Sequence, residues 1–283
     1  MEINANDWED SKLVVLITGC SSGGIGHALA RSFAANNCIV VATSRSRSTM
    51  VDLEDHPYFF LQELDILSDE SVNRVVDTVI NKYGGIDILI NNAGVPCVGP
   101  IVDIPLSTIK NTFETNVFGS LRMVQAVVPH MAARKKGKIV NVGSIVGLAA
   151  RPWTGAYAAS KAALHALTDA LRLELGHFGI DVVNVVGGYV KSNMVKSVLT
   201  THDNMLEWKL FKSFEAGFRE RLVRSQSSKS THADEFAKQT VAAVLRKKSP
   251  AWFSYGQYTT VMAIMYHLPL CVRDFIFKKD MKL

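Results

Sequence analysis

Two hydrophobic periods alternate along most of this chain. Unbroken apolar runs of about five residues recur, and between them apolar positions fall three and four apart. The first run, Leu-Val-Val-Leu-Ile at 13–17, fits a strand buried on both faces, as parallel sheets require. Similar runs at 38–42, 59–64, 86–90, 138–142 and 181–186 predict further strands. Helices are predicted at 27–36, from Val72 onward, at 107–134 and at 155–176. In the second of these, apolar residues at 72, 75, 76, 79 and 80 share one face, and Ser68 is a capping candidate. Lys135, Lys136 and Gly137 supply the cations and glycine expected where the third helix ends. The alternation predicts an α/β fold, a doubly wound parallel sheet of about seven strands in a single domain. Residues 1–12 read as an extension, 13–248 as the domain and 249–283 as a C-terminal extension.

Composition narrows the class only a little. Hydrophobic residues make up 48% and charged residues 20% of 283, an ordinary globular balance with ample core. A net charge of +5 permits acidic ligands such as phosphates or anionic lipids. Nucleic acid is not indicated, because the Lys and Arg are dispersed and form no aromatic-interleaved stripe. Cys20, Cys38, Cys97 and Cys271 form no CxxC pair, so neither a metal site nor a disulfide frame is expected. The acidic, polar first ten residues lack the basic start and apolar run of a signal peptide, and Asp-Met-Lys-Leu at the other end matches no retention signal. A cytoplasmic location follows as the expectation.

Chemistry gathers at the ends of the predicted strands. Residues 18–26 read Thr-Gly-Cys-Ser-Ser-Gly-Gly-Ile-Gly between a strand and a helix, where backbone amides and a helix N-terminus hold a pyrophosphate. After the second strand, Thr43, Ser44, Arg45, Ser46 and Arg47 stand where an acid would bind the ribose of NAD, and no acid appears before Asp52. Arginine and serine there suit a 2′-phosphate, which favours NADP(H). Asn91, Asn92, Ala93 and Gly94 close the fourth predicted strand, and Ser144 lies at the end of the fifth. Tyr157 and Lys161, four apart in a predicted helix, rise on one face, where an ammonium can lower a phenol's pKa. Asn116 sits in the middle of the long 107–134 helix, either as a surface residue or with its amide on a freed carbonyl or a water.

These motifs in this order and spacing resemble the short-chain dehydrogenase/reductase family over 13 to about 248, which implies a Rossmann-type sheet. The resemblance implies that Tyr157 is the general acid/base, that Lys161 lowers its pKa and holds the nicotinamide ribose, and that Ser144 hydrogen-bonds the substrate oxygen. Asn116 would anchor a relay water. It further implies a cofactor site of Gly19, Ser21, Ser22, Gly24, Ile25, Gly26, Ser44, Arg45, Asp65 as adenine contact, Ile66, Asn92, Ala93, Gly94, Tyr157, Lys161, Gly188, Val190 and Ser192, with Asn91 on its border. Two features depart from the family pattern: the glycine turn is one residue longer, and Gly187-Gly188 replaces Pro-Gly, which removes a φ constraint and predicts a looser loop. Ser44-Arg45 and Ala-Leu-His-Ala-Leu at 163–167 most resemble the NADPH-dependent 1-acyldihydroxyacetone-phosphate reductase group, itself similar to 17β-hydroxysteroid dehydrogenases. The implied activity is hydride transfer between NADPH and a carbonyl or secondary alcohol of a lipophilic substrate of acyl-dihydroxyacetone phosphate, steroid or terpenoid type. The implied assembly is a homodimer or homotetramer, for which the alanines at 158, 159, 162, 163, 166 and 170 offer flat packing surface. A catalytically silent NADP-binding partner on the same fold is the alternative, and the intact Asn116, Ser144, Tyr157 and Lys161 set speaks against it.

Residues 191–230 leave the strand-helix rhythm and read as a substrate lid. Apolar residues such as Met194, Val198, Trp208, Phe211, Phe214 and Phe218 favour an apolar substrate. Lys209, Lys212, Arg219, Arg221 and Arg224 between them form either a phosphate-headgroup contact or an exposed cationic face. Residues 249–272 carry no charged side chain, but polar interruptions leave only 261–265 solidly apolar, too little to span a bilayer. Two readings of that segment stand: peripheral membrane contact, at endoplasmic reticulum or lipid droplet, or packing over the substrate cleft.

Overall fold

The computed structural model describes residues 12–194, 198, 208, 210–224 and 230–281. Seven strands form one all-parallel sheet in the order β3-β2-β1-β4-β5-β6-β7. They are β1 (Val14–Thr18), β2 (Ile39–Ser44), β3 (Phe59–Glu63), β4 (Ile88–Asn91), β5 (Gly137–Ser144), β6 (Ile180–Gly187) and β7 (Trp252–Tyr255). The helices are α1 (Ile25–Ala35), α2 (Asp69–Tyr83), α3 (Leu106–Phe113), α4 (Ser120–Ala133), α5 (Gly155–Leu175), α6 (Glu215–Arg224), α7 (Ala233–Val244), α8 (Thr259–His267) and α9 (Leu270–Met281). Strand order reverses between β1 and β4, which opens a crevice beyond their carboxyl ends.

Alternation within each apolar run splits the core into two layers. Val15 and Ile17 face Leu29 and Phe33 of α1 and Phe236 and Val241 of α7. Val14 and Leu16 face Val72, Val75, Val76 and Val79 of α2 and Met123 and Val127 of α4. Each fully buried aliphatic side chain contributes on the order of 1.5–3 kcal/mol. The expected cap holds as well: the Ser68 hydroxyl accepts from the Ser71 N–H at 3.2 Å.

One polar row crosses these layers. Asn91, Asn141 and Asn184 stand in register on β4, β5 and β6. The Asn91 amide donates to Asn141 Oδ1 at 2.9 Å, and Asn141 donates to Thr168 Oγ1 of α5 at 2.9 Å. Because a one-residue slip would break every link, the row pins α5 against the sheet. Lys138 acts likewise at the opposite edge: its ammonium donates to Val244 O, Arg246 O and Ser249 Oγ, satisfying the carbonyls at the end of α7.

Four sequence expectations change. The predicted 107–134 helix is interrupted by a π-helical turn at Glu114–Gly119. The left-handed residue that ends α4 is Lys135, at φ 50°, whereas Gly137 opens β5 and leaves room for Met131. The seventh strand, β7, comes from the segment set apart after Lys248, so the sheet itself runs past that point. The Gly187-Gly188 loop is tied down, with Gly188 N donating to Tyr255 O and Tyr189 N to Gln257 O, both at 3.0 Å. Glycine is needed at 188 for close approach, since a Cβ would lie 2.3 Å from Gln257 O.

Candidate active site

At the sheet's switch point a cleft of about 570 Å³ runs from the glycine turn to the start of α5. Its floor is the turn after β1. Gly19 and Gly23 hold φ near +75° and +72°, and a Cβ on Gly19 would lie 2.8 Å from Ala93 Cα. Thr18 Oγ1 accepts from both Asn92 N and Ala93 N, and the Asn92 amide donates to Thr18 O and Gly19 O, so the ends of β1 and β4 are stitched together. Gly26 lies beneath this turn rather than on the cleft, where a Cβ would lie 2.3 Å from Gly19 O.

The extra turn residue is clasped from outside. Ser22 N donates to Thr49 O, Asn193 N donates to Gly23 O, and the Asn193 amide donates to Ser22 O at 2.7 Å. Asn193 therefore joins the turn to the segment that follows β6. Beside the turn, the hydroxyls of Ser21, Ser44 and Thr49 lie within 2.9–3.2 Å of one another. Arg45 is exposed at the cleft wall next to them. Arg47, grouped with it by sequence, instead pairs with Glu54. Asp65 and Ile66 line the same end of the cleft, and Asp65 Oδ1 accepts from Leu67 N at 3.0 Å.

The other end is built on α5. Its Gly155 start brings Tyr157 onto the cleft and Lys161 one turn deeper, with Ser144 opposite at the end of β5. Desolvation pushes the Tyr157 phenol up to about 12, and a hydrogen bond with Ser144 opposes it. Burial alone drives Lys161 down to about 8. The Lys161 ammonium donates to Val142 O at 2.8 Å and stands 5.9 Å from the phenol ring centre, and the Ser144 hydrogen bond favours the phenolate.

Asn116 sits in the π-helical turn, fully buried behind the cleft. Its Oδ1 accepts from Val95 N at 2.8 Å, and its Nδ2 donates to Val95 O and to Ser160 Oγ. Both amide hydrogens are committed, so the side chain clamps the strand-end loop. A Cβ on Gly94 would lie 3.2 Å from Asn116 Oδ1 and 3.6 Å from Lys161 Nζ, which places these three together. Asn91 points into the core and does not border the cleft. Ala93, Gly188, Val190 and Ser192 all line it.

Three residues of the site escaped sequence reasoning. Thr49 and Asn193 carry no local signal, since each acts across a gap in sequence. His165, four beyond Lys161 and hence on the same face of α5, accepts from Ser144 N at 3.2 Å through Nε2. That spacing was the readable clue.

The cradle fits a dinucleotide. The bare glycines let a pyrophosphate approach the start of α1, whose first N–H groups have no intrahelical partner, and the hydroxyl cluster with Arg45 would stand on the adenosine side. When bound, a nicotinamide group would supply the hydride. The remaining wall is mostly apolar, with Val95, Pro96, Val98, Val146, Val198 and Phe218. Trp208 and Phe218 are buried with Trp153 in an aromatic cluster under that wall. Met194 and Val198 line the cleft, and Arg219 is paired with Glu215 on α6. Lys209 and the side chains of Arg221 and Arg224 lie outside the described residues.

Comparison with known proteins agrees with this geometry. The family profile described as short chain dehydrogenase matches residues 13–203. A short-chain dehydrogenase of Pyricularia oryzae is 34% identical over 270 residues, covering 95% of this chain and 94% of that protein. The NADPH-dependent 1-acyldihydroxyacetone phosphate reductase of Schizosaccharomyces pombe is 39% identical over 194 residues, 68% of this chain and 64% of that one. The crystal structure of a short-chain dehydrogenase from Streptomyces avermitilis superposes with a TM-score of 0.79 at 27% identity, over 96% of this chain and 98% of that one. A tyrosine, serine and lysine at the end of a dinucleotide cradle, on a chain matched along most of its length, make this protein a member of the short-chain dehydrogenase family, oxidoreductases that interconvert alcohols and carbonyls.

Proposed function

We propose that the protein is an NADP(H)-dependent oxidoreductase that transfers hydride between the nicotinamide and the carbonyl or secondary alcohol of a lipophilic substrate. The observation that carries this reading is the meeting of Tyr157, Ser144 and Lys161 at the apolar end of the cleft, with Arg45 and three hydroxyls at the other. In reduction, Tyr157 donates a proton to the developing alkoxide while Ser144 hydrogen-bonds the same oxygen. Oxidation runs the same groups in reverse, so the site serves either direction. The Schizosaccharomyces pombe relative supports an acyl-dihydroxyacetone phosphate type of substrate, and the apolar wall suits steroids and terpenoid ketones equally. Assembly as a homodimer or homotetramer belongs to the same reading.

The test follows NADPH oxidation at 340 nm across acyl-dihydroxyacetone phosphates, steroids, terpenoid ketones and retinal. Turnover of at least one lipophilic carbonyl, with NADH much the poorer coenzyme, is expected. NADPH binding without turnover of any panel member would instead favour the catalytically silent partner.

Peripheral work at a membrane is the second part of the proposal, with the protein on the cytoplasmic side. Among the described residues no helix is long and apolar enough to cross a bilayer. The inner face of α8 and α9, with Met262, Met265 and Phe277, packs on Ile145, Val186 and Tyr189 beside the Ser144 strand end. Their outer face leaves Val261, Ile264, Tyr266, Leu270, Phe275 and Ile276 exposed. Residues 246–283 hold seven Lys and Arg against two Asp, which equals the chain's whole formal charge of +5. An apolar face with that charge suits an anionic lipid surface. Truncation after Lys248 would remove β7 from the sheet, so point variants are the cleaner probe. The intact chain should float with phosphatidylserine-containing vesicles and less with phosphatidylcholine alone, and Ile264→Glu with Phe275→Glu should abolish flotation. A pair of variants that floats like the parent, or that only splits a dimer, overturns the membrane reading.

A further inference from the structure

Among the described residues His165 is the one buried imidazole beside the reacting groups, and the proton transfer by Tyr157 and Ser144 leaves it without a task. It follows Tyr157 and Lys161 along α5 at successive four-residue steps, so the three rise on one face. Its ring is 6% exposed and fills a slot that two glycines leave open. A Cβ on Gly143 would lie 2.2 Å from His165 Nε2, and one on Gly147 would lie 2.9 Å from His165 Cε1. Trp252 of β7 closes the slot edge-on, its ring centre 5.4 Å away.

The ring reaches the end of β5. There the pairing with β4 has already stopped at Asn91 and Asn141, and His165 Nε2 takes the N–H of Ser144 at 3.2 Å. Acceptance at Nε2 places the proton of the neutral ring on Nδ1. Burial, with the Lys161 ammonium as the charged neighbour, holds the imidazole down to about 4, so it stays an acceptor through the neutral range. Tyr157 and the exposed Asp169, four residues beyond His165, are the other titratable groups at these steps of α5, and the residues of β5, β6 and β7 packed around the ring, Gly143, Ser144, Asn184 and Trp252, carry no charge.

We propose that His165 is a positioning residue: by holding the main chain of Ser144, it fixes the hydroxyl that hydrogen-bonds Tyr157 and meets the substrate oxygen. The role rests on Tyr157 and Ser144 being the proton-transfer pair. Without an acceptor at this place the Ser144 N–H would be buried unpaired and the strand end free to shift, and a shift of about 1 Å at a reacting group costs on the order of 100-fold in rate.

Three variants test it: His165→Leu, which has no acceptor, His165→Gln, whose amide oxygen reaches the place of Nε2, and His165→Asn, which falls short of it. The probe is the fastest ketone of the panel, with its alcohol for the reverse direction, and NADPH affinity is read by fluorescence. The Leu and Asn variants should lose about 10–100-fold in kcat with NADPH affinity within about twofold, and Gln should recover most of it. Because Ser144 favours the phenolate, the rising limb of alcohol oxidation should move to higher pH in Leu and Asn and return in Gln. If Leu does not fold, the comparison of Gln with Asn carries the test alone. Equal rates and equal pH midpoints in Gln and Asn overturn the proposal. Tyr157→Phe is the control for the underlying reading: activity retained there removes the reading itself, whereas an inactive Tyr157→Phe beside indistinguishable His165 variants removes only the role of His165.

Discussion

Replacing Tyr157 by Phe is expected to lower turnover by about three orders of magnitude while leaving NADPH affinity within about twofold of wild type. The change deletes one oxygen and keeps the ring that packs against Cys97, Ile104 and Ala156, so fold and cleft shape survive. What disappears is the hydroxyl that Ser144 hydrogen-bonds at the apolar end of the cleft. A factor of 1000 corresponds to about 4 kcal/mol of transition-state stabilisation, within the range for a placed general acid. Steady-state turnover and a fluorescence titration of NADPH separate the two quantities. A rate within tenfold of wild type would contradict the assignment of the proton to Tyr157.

Replacing Arg45 by Asp is expected to lower kcat/KM for NADPH by about 100-fold and to raise it for NADH. The guanidinium is exposed at the cleft wall, so its folded-state cost is small and its loss does not disturb the core. A charged hydrogen bond to phosphate is worth roughly 1.5–3 kcal/mol, and the carboxylate adds repulsion to the same group. NADH has a ribose hydroxyl there, which a carboxylate accepts. Ser21, Ser44 and Thr49 remain, so NADPH binding is weakened and not abolished. A parallel fall for both coenzymes would show that Arg45 does not read the 2′-phosphate.

The strands and the catalytic face of α5 were legible because they are local. Five apolar residues in a row, or Tyr and Lys four apart, carry their meaning without knowledge of what lies opposite. The π-helical turn was not legible, since Thr, Asn and Val continue a helix as readily as they interrupt one, and only the capture of Val95 by Asn116 shows why the ladder shifts there. β7 escaped for a different reason. It is an edge strand with its side chains alternately exposed and half-buried, and four residues of that kind look like any apolar surface segment. The Arg45 end of the cleft was read from Ser44 and Arg45, but Thr49 enters only through the fold-back at Arg47–Leu53, where Arg47 pairs with Glu54. The depth of Tyr157 and Lys161 was not legible because desolvation cannot be seen in a spacing: burial raises the phenol and lowers the ammonium.

The clasp of Asn193 on Ser22 and Gly23 makes the glycine turn and the start of the segment after β6 one mechanical piece. A ligand on the turn and a ligand held by that segment would therefore share one coupling free energy. By linkage, any factor by which coenzyme tightens substrate must equal the factor by which substrate tightens coenzyme. Asn193→Ala, which deletes the side-chain half of the clasp, is expected to lower that factor equally for both ligands.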